Sequence, residues 1–123
     1  MAAPNLINVS SIFGKTNGVS LDTTTTTDII TCASDKLVKV NSIIVANIDG
    51  TNSADVTVYF YDNSTSSRIA IADAVSVPTK STLIVLGKDA PIYLEESDQI
   101  EAGASANGDL HLTISYEILN DAW

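Results

Sequence analysis

The sequence has a single cysteine, Cys32, and a single histidine, His111. One cysteine can neither close a disulfide within the chain nor supply a thiolate cluster for a metal. One imidazole would have to serve as the base for any nucleophile, and no glycine elbow or oxyanion-type motif accompanies it. His111 and Cys32 could meet in the fold, but no motif brings them together. We therefore expect His111 to be a surface or cross-strand side chain, and we expect no catalytic residues and no enzyme activity.

Basic side chains are scarce, with 6 Lys and Arg against 15 Asp and Glu, for a net charge of −9. A nucleic-acid partner requires a basic stripe that displaces counterions from phosphates, so we expect no DNA or RNA binding. Residues 1–88 carry 7 acids and 6 bases, whereas residues 89–123 carry 8 acids and no base. The last third of the chain is therefore predicted to form an anionic surface.

Long hydrophobic runs are missing as well. No segment approaches the roughly 20 apolar residues of a membrane span. The opening MAAPNLINVSSIFGKT has neither the basic start nor the apolar stretch of a secretory signal. We expect a soluble chain that is made intracellularly and has no membrane partner.

Helical periodicity is also lacking, and alternation of apolar and polar residues takes its place. The alternation is strong in GDLHLTISYEIL, LVKVNSIIVANID and ADVTVYFYD, which predicts three long strands. In the second segment a period of two places one set of side chains on a common face. Its members are Val38, Val40, Ile44, Ala46 and Ile48. The weaker strand candidates are GVSLDTTTTTDIITC, RIAIADAVSV, STLIVLGK, PIYLEE and DQIEAGA.

About eight short strands separated by turn signals predict an all-β, antiparallel two-sheet sandwich with a jelly-roll-like arrangement. An immunoglobulin-like sandwich is the alternative, although its disulfide and its central tryptophan are absent. We assign the sandwich domain to residues 18–120 and a C-terminal tail to residues 121–123. Residues 1–17 form either an N-terminal arm or the first strand.

The N-terminal stretch has one base, no acid and five large apolar side chains. Leaving these in water would cost about 25 cal/mol per Å² of apolar surface, so the stretch is expected to dock. It either closes its own sandwich as a first strand or pairs with a neighbouring subunit by strand addition. The predicted partner-binding residues are Leu6, Ile7, Val9, Ile12, Phe13 and Trp123.

The stretch LEESDQIEAGASANGDL carries five acids and no base, so it is a candidate metal site or carboxylate pair. The acids do not have EF-hand spacing, and acids placed among Ser, Gly and Asn are typical of a solvated loop rather than a glycosidase cleft. We favour the solvated loop, and we expect no metal and no cofactor. The alternative is a loose calcium site drawn from Asp89, Glu95, Glu96, Asp98 and Asp109.

The threonine run at residues 23–27 presents hydroxyls on both faces of an extended chain. Ice-binding and sugar-binding surfaces use ordered ranks of such hydroxyls, but only one rank exists here. We predict a plain, solvated edge strand.

Three parts of the chain carry a resemblance to a known family: the opening MAAPNLINVSSIFGKT, the central NSIIVANIDGTNSADVTVYFYD with SVPTKSTLIVLGKDAPIYLEESDQI, and the ending ASANGDLHLTISYEIL. Together they resemble small virion structural proteins of tailed phages, notably phages of marine cyanobacteria. The resemblance implies a particle component without catalysis, so there are no catalytic residues to carry over.

An acidic sandwich with an apolar, nearly uncharged arm suits a position on the outside of a repetitive shell. We therefore expect a capsid decoration or cement protein, made in the host cytoplasm, that binds the major capsid protein or other virion proteins. A homotrimer would match threefold positions of an icosahedral lattice. The alternatives are a neck, tail or fibre-attachment protein and a glycan-binding sandwich. The aromatic residues available to a glycan platform are Tyr59, Tyr61, Tyr93 and Trp123.

Overall fold

The structure is a computed structural model that describes the backbone of residues 9–121 and the side chains of residues 11–120. This part of the chain contains nine β-strands and no helix, and therefore no helix that could cross a membrane. The strands are β1 (Val9–Ser20), β2 (Thr27–Thr31), β3 (Lys36–Asn47), β4 (Ala54–Asp62), β5 (Ser67–Val77), β6 (Thr82–Leu86), β7 (Ile92–Leu94), β8 (Gln99–Ala104) and β9 (Leu110–Asp121).

The strands form two antiparallel sheets. The first sheet has the order β1-β9-β3-β6, with β7 also paired to β3, and the second has the order β2-β8-β4-β5. The pairs are nested from the chain ends inward: β1 with β9, β2 with β8, β3 with β6 and β7, and β4 with β5 in a hairpin. Such nesting wraps one long antiparallel ribbon into a double-sheet jelly roll. The predicted all-β, two-sheet sandwich is confirmed.

The core lies between the sheets, and β9 shows how the sequence builds it. Leu110, Leu112 and Ile114 are fully buried and Tyr116 is nearly so, whereas His111 is exposed. The predicted alternation along β9 is confirmed. Because β9 pairs with both β1 and β3, its inward side chains occupy the centre of the first sheet.

A β-bulge changes the facing of β3 halfway along its length. The register with β9 shifts between Val40 and Ser42, so the alternation moves by one residue. Before the shift Val40 is buried, and after it the buried residues are Ile43 and Val45. The prediction of one common face along β3 is therefore wrong, because an extra residue turns every later side chain over. The residues that the prediction placed on the wrong face are Ile44, Ala46 and Ile48.

The N-terminal stretch contributes the first strand. Residues 9–17 belong to β1 and pair with β9, for example Ile12 with Leu119. The expected domain boundary after residue 17 lies inside this strand, so truncation there would remove most of β1 and not only an arm. Of the predicted partner-binding residues, Leu6, Ile7 and Trp123 lie outside the described residues, and of Val9 only the backbone is described.

Candidate functional site

Asp98, in the acidic segment, is buried, with 3% of its surface exposed. One carboxylate oxygen accepts a hydrogen bond from the backbone N–H of Asn63 at 3.0 Å, and the other accepts from the N–H of Glu95 at 3.0 Å. The side chain thereby joins the β4–β5 turn to the turn that precedes β8. Asp98 therefore contradicts the prediction of a solvated acidic loop.

Glu101 is the second buried acid of the segment, with 3% of its surface exposed. It faces outward from the second sheet, where the Arg68 guanidinium donates to it from Nε at 2.7 Å and from Nη2 at 3.4 Å. This ion pair raises the pKa of Arg68 above its usual value. The guanidinium also lies 4.9 Å from the ring centroid of Tyr61. Glu101 is thus neutralised by a partner that covers it.

The remaining acids of the segment do not form a cation cage. Glu96 accepts a hydrogen bond from the backbone N–H of Asp35 at 2.8 Å, and Glu95 is exposed. Within residues 9–121 no group of three His, Cys, Asp or Glu side chains is placed to hold a metal ion. The acids of the segment instead accept hydrogen bonds from turns, form an ion pair or face solvent.

Cys32 lies just after β2 of the second sheet, whereas His111 lies on β9 of the first. Cys32 follows β2 and is 1% exposed, and its Sγ donates to the carbonyl of Lys36 at 3.3 Å. Burial raises the pKa of this thiol from 9.0 to about 11. His111 lies on the outside of the first sheet, between Ser20 and Ala46 in the register. The fold does not bring the thiol and the imidazole together.

Cys32 is expected to resist alkylation while the protein is folded. The thiolate is the reacting species, and both burial and the raised pKa suppress it. Mass spectrometry after iodoacetamide treatment at pH 8 should show unmodified protein, and full modification once guanidinium is added. Rapid labelling of the native protein would contradict the placement of Cys32.

The tyrosines expected for a glycan platform are divided between the two faces of the sandwich. Tyr59 and Tyr61 are half-buried on the outer side of the second sheet, where Arg68 covers one face of Tyr61. Tyr93 is exposed on the outer side of the first sheet, opposite Lys39 in the register. These three rings therefore share no common surface, and Trp123 lies outside the described residues.

The threonine run forms a loop that packs against the second sheet. Only Thr27 belongs to β2, and the Asp22 carboxylate accepts from the Thr24 N–H at 2.9 Å to hold the loop. The loop backbone lies directly over Gly103, where an added Cβ would be 2.5 Å from the Cα of Thr25. The prediction of an edge strand at residues 23–27 is wrong for the first four threonines, because Asp22 and the close approach to Gly103 favour a turn.

Replacing Gly103 with alanine is expected to lower the free energy of unfolding by about 1–3 kcal/mol, because the new methyl group displaces the loop backbone. Gly14→Ala is the matched control, since a Cβ there meets nothing within 4 Å. It should leave stability unchanged or raise it by a few tenths of a kcal/mol. Urea denaturation of both variants measures the difference, and equal stabilities would show that the loop does not pack on Gly103.

The outer side of the first sheet, here called the assembly face, comprises the residues of β1, β9, β3, β6 and β7 that alternate with core residues. Large apolar side chains are exposed on it at Ile12 (59%), Ile44 (37%), Ile84 (68%) and Tyr93 (43%). Ile44 and Ile84 are direct cross-strand neighbours. Small residues occupy the positions around them. The small residues are Gly14, Thr16, Gly18, Ser20, Ser42, Ala46, Thr113 and Ser115.

Charge is nearly absent from the assembly face. Among the described side chains, Lys39 and Glu117 are its one base and one acid, and they stand directly opposite each other. A chain with a net charge of −9 therefore presents one face on which the formal charges of the described side chains cancel. The fold brings the candidate partner-binding residue Ile12 onto this face, next to Leu119. The neighbouring candidate Phe13 is 53% exposed, but it lies on the other side of β1, opposite Ile118 in the register.

No protein-family model matches the chain, and no curated protein matches it. A solved structure described by the words "Bacillus endospore appendages form a novel family of disulfide-linked pili" is similar to it. The TM-score is 0.51 with 15% sequence identity, over 90% of this chain and 89% of that chain. At this identity the likeness supports the two-sheet β fold alone.

Proposed function

We propose that the protein is a non-catalytic structural component of a tailed-phage virion, namely a capsid decoration or cement protein that clamps neighbouring capsomers. The observation that carries the proposal is the assembly face, with its exposed isoleucines and its cancelled charge. The resemblance of the sequence to small virion structural proteins is the reason for placing the protein in a tailed-phage particle. The structural neighbour adds that a fold of this kind occurs in a protein from pili, which are also repetitive assemblies.

The physical argument starts from the cost of leaving apolar side chains in water. A monomeric protein seldom exposes contiguous large apolar residues without using them, and the centres of protein interfaces are depleted of charge. Ile44 and Ile84 adjoin each other on a face where Lys39 and Glu117 neutralise one another. Binding a flat shell surface would bury the isoleucines without stranding an unpaired charge.

Attachment to a lattice does not require a large interface in each copy. Several weak contacts within one oligomer act together, because binding through one raises the effective concentration of the others. A homotrimer on the capsid exterior would use three assembly faces, with Ile12 contributing at the β1 side. The proposal invokes no disulfide between subunits, in contrast with the pili, since Cys32 is buried.

Co-sedimentation with capsids that lack the protein tests the proposal. Wild-type protein should saturate the shells in proportion to the major capsid protein, and Ile44→Asp should bind at least about tenfold more weakly because it places an unpaired charge in the interface. Ile69→Asp is the matched control, since Ile69 is 56% exposed on the second sheet. Equal binding by the two variants would show that the assembly face does not contact the capsid. Binding confined to necks or tails would favour a neck or tail protein over a decoration protein.

A further inference from the structure

The first strand leaves a long sheet edge open. β1 spans 12 residues, and within the described part of the chain it pairs with β9 on one side only. Every residue from Ile12 to Gly18 is exposed. The unpaired N–H and C=O groups of such an edge are a template for another strand.

The other three sheet edges carry features that oppose pairing. β6 and β2 have only 5 residues each, and β2 also has a register shift after Asp28. β5 is longer, but its register with β4 shifts twice and Ala74 has a positive φ of 49°. Short length, bulges and charged side chains are the means by which proteins prevent an edge strand from pairing with another chain. β1 has only one charged side chain, Lys15, and its one register shift lies at its very start, between Val9 and Ser11.

We propose that the edge of β1 pairs antiparallel with β1 of a second copy of this chain about a two-fold axis. Two copies with a charge of −9 each repel one another over most of their surfaces. β1 is a sheet edge at which they can approach, because residues 1–20 contain Lys15 and no acid. An isologous contact of this kind needs a strand that complements itself, and an extended, almost uncharged strand does.

The pairing has a consequence for the proposed function, on which this part of the inference rests. A two-fold axis perpendicular to the first sheet makes the two sheets continuous and sets both assembly faces on one side. The face that meets the shell is then twice as wide. The pairing implies a dimeric unit in place of the homotrimer.

The alternation of side chains restricts the register. Outward residues must lie opposite outward residues, so the axis passes through a single residue of β1. Centring on Lys15 would place two ammonium groups directly opposite each other, which is destabilising. Of the other centres, Gly14 and Thr16 lie near the middle of the strand, so registers centred on Gly14 or on Thr16 avoid this contact and keep most of β1 paired. The second of these sets Ile12 opposite Ser20.

Sedimentation equilibrium of the full chain is the first test. The monomer mass is 12.9 kDa, and we expect a dimer of twice this mass that dissociates into monomers as the protein is diluted. Gly14→Lys should weaken the association roughly tenfold or more by placing like charges across the axis. A Cβ at Gly14 meets nothing within 4 Å, so we expect this variant to keep the fold, which its circular dichroism spectrum checks. Thr82→Lys, on the β6 edge of the same sheet, should associate like the wild type.

A full chain that stays monomeric, or a Thr82→Lys variant that loses association as strongly as Gly14→Lys, would overturn the inference. If deleting residues 1–8 converted a monomer into a dimer, the edge would be occupied by the chain's own N-terminal segment, and the inference would also be wrong. Mild oxidation should cross-link either Gly14→Cys or Thr16→Cys and leave Thr82→Cys monomeric, since Cys32 is buried.

The inference and the proposed function fail separately. Dimerisation is measured without capsids, so its absence leaves the capsid-binding test intact. Ile44→Asp should lose capsid binding while keeping the dimer, because Ile44 lies two strands away from the β1 edge. A dimeric protein that does not bind capsids would overturn the proposed function and leave the pairing of β1 standing.

Discussion

Replacing Asp98 with alanine is expected to lower the free energy of unfolding by about 3 kcal/mol or more. Each hydrogen bond to a charged acceptor contributes roughly 1.5–3 kcal/mol, and its loss leaves a donor without a partner. Asp98 accepts two such bonds, from the N–H groups of Asn63 and Glu95. Because the residue is 3% exposed, water cannot readily replace the lost oxygens. Urea denaturation of the wild type and the variant measures the difference.

The matched control is Glu95→Ala, three residues earlier in the same turn. The Glu95 side chain is exposed, whereas its backbone N–H, which binds Asp98, is unchanged by the substitution. The control should change stability by less than about 0.5 kcal/mol. If the two variants were equally stable, the carboxylate of Asp98 would not be the link between the turns, and its burial would need another explanation.

Two adjacent isoleucines provide the second large effect. Ile43→Ala is expected to cost about 2–5 kcal/mol, because Ile43 is fully buried and its removal leaves a cavity between the sheets. Ile44→Ala is expected to cost less than about 1 kcal/mol, because Ile44 is 37% exposed on the assembly face. Thermal or urea unfolding of the pair tests the bulge between Val40 and Ser42. The reverse order of stabilities would mean that the alternation runs unbroken along β3.

The strands and their sandwich arrangement could be predicted because the signal is local. In β9, apolar residues from Leu110 to Tyr116 alternate with polar ones. This alternation is enough to predict a strand with one face in the core. The turn-forming residues between the strands indicate where each strand ends. Residues 9–121 contain nine strands where about eight were expected for the chain. The additional strand is β1, which the sequence predicts to be either a first strand or an arm.

The bulge in β3 and the buried acids could not be predicted, since each depends on partners that are distant in the sequence. Asp98 binds the N–H of Asn63, 35 residues away, and Glu101 binds Arg68, 33 residues away. A one-residue shift in register does not change the amino-acid composition of a strand, so the sequence gives no sign of it. The assembly face could not be predicted either, because a regular period of two placed Ile44 on the same face as Val38 and Val40, which are buried.

The candidate partner-binding residues were chosen for apolar content, and two of them with described side chains are exposed. Ile12 is 59% exposed and Phe13 is 53% exposed. Ile12 points outward onto the assembly face, whereas Phe13 alternates to the other side of β1, opposite Ile118 in the register. A docking role on the assembly face therefore fits Ile12 alone. The sequence left an arm and a first strand open for these residues, and the fold presents both of them on β1.

Quantitative mass spectrometry of purified virions tests the central claim most directly. The account predicts that this chain is present in a fixed ratio to the major capsid protein, and that the ratio falls when the virions carry Ile44→Asp. Absence of the chain from particles, or a few copies confined to one vertex or to the tail, would contradict a decoration protein that reinforces the whole shell.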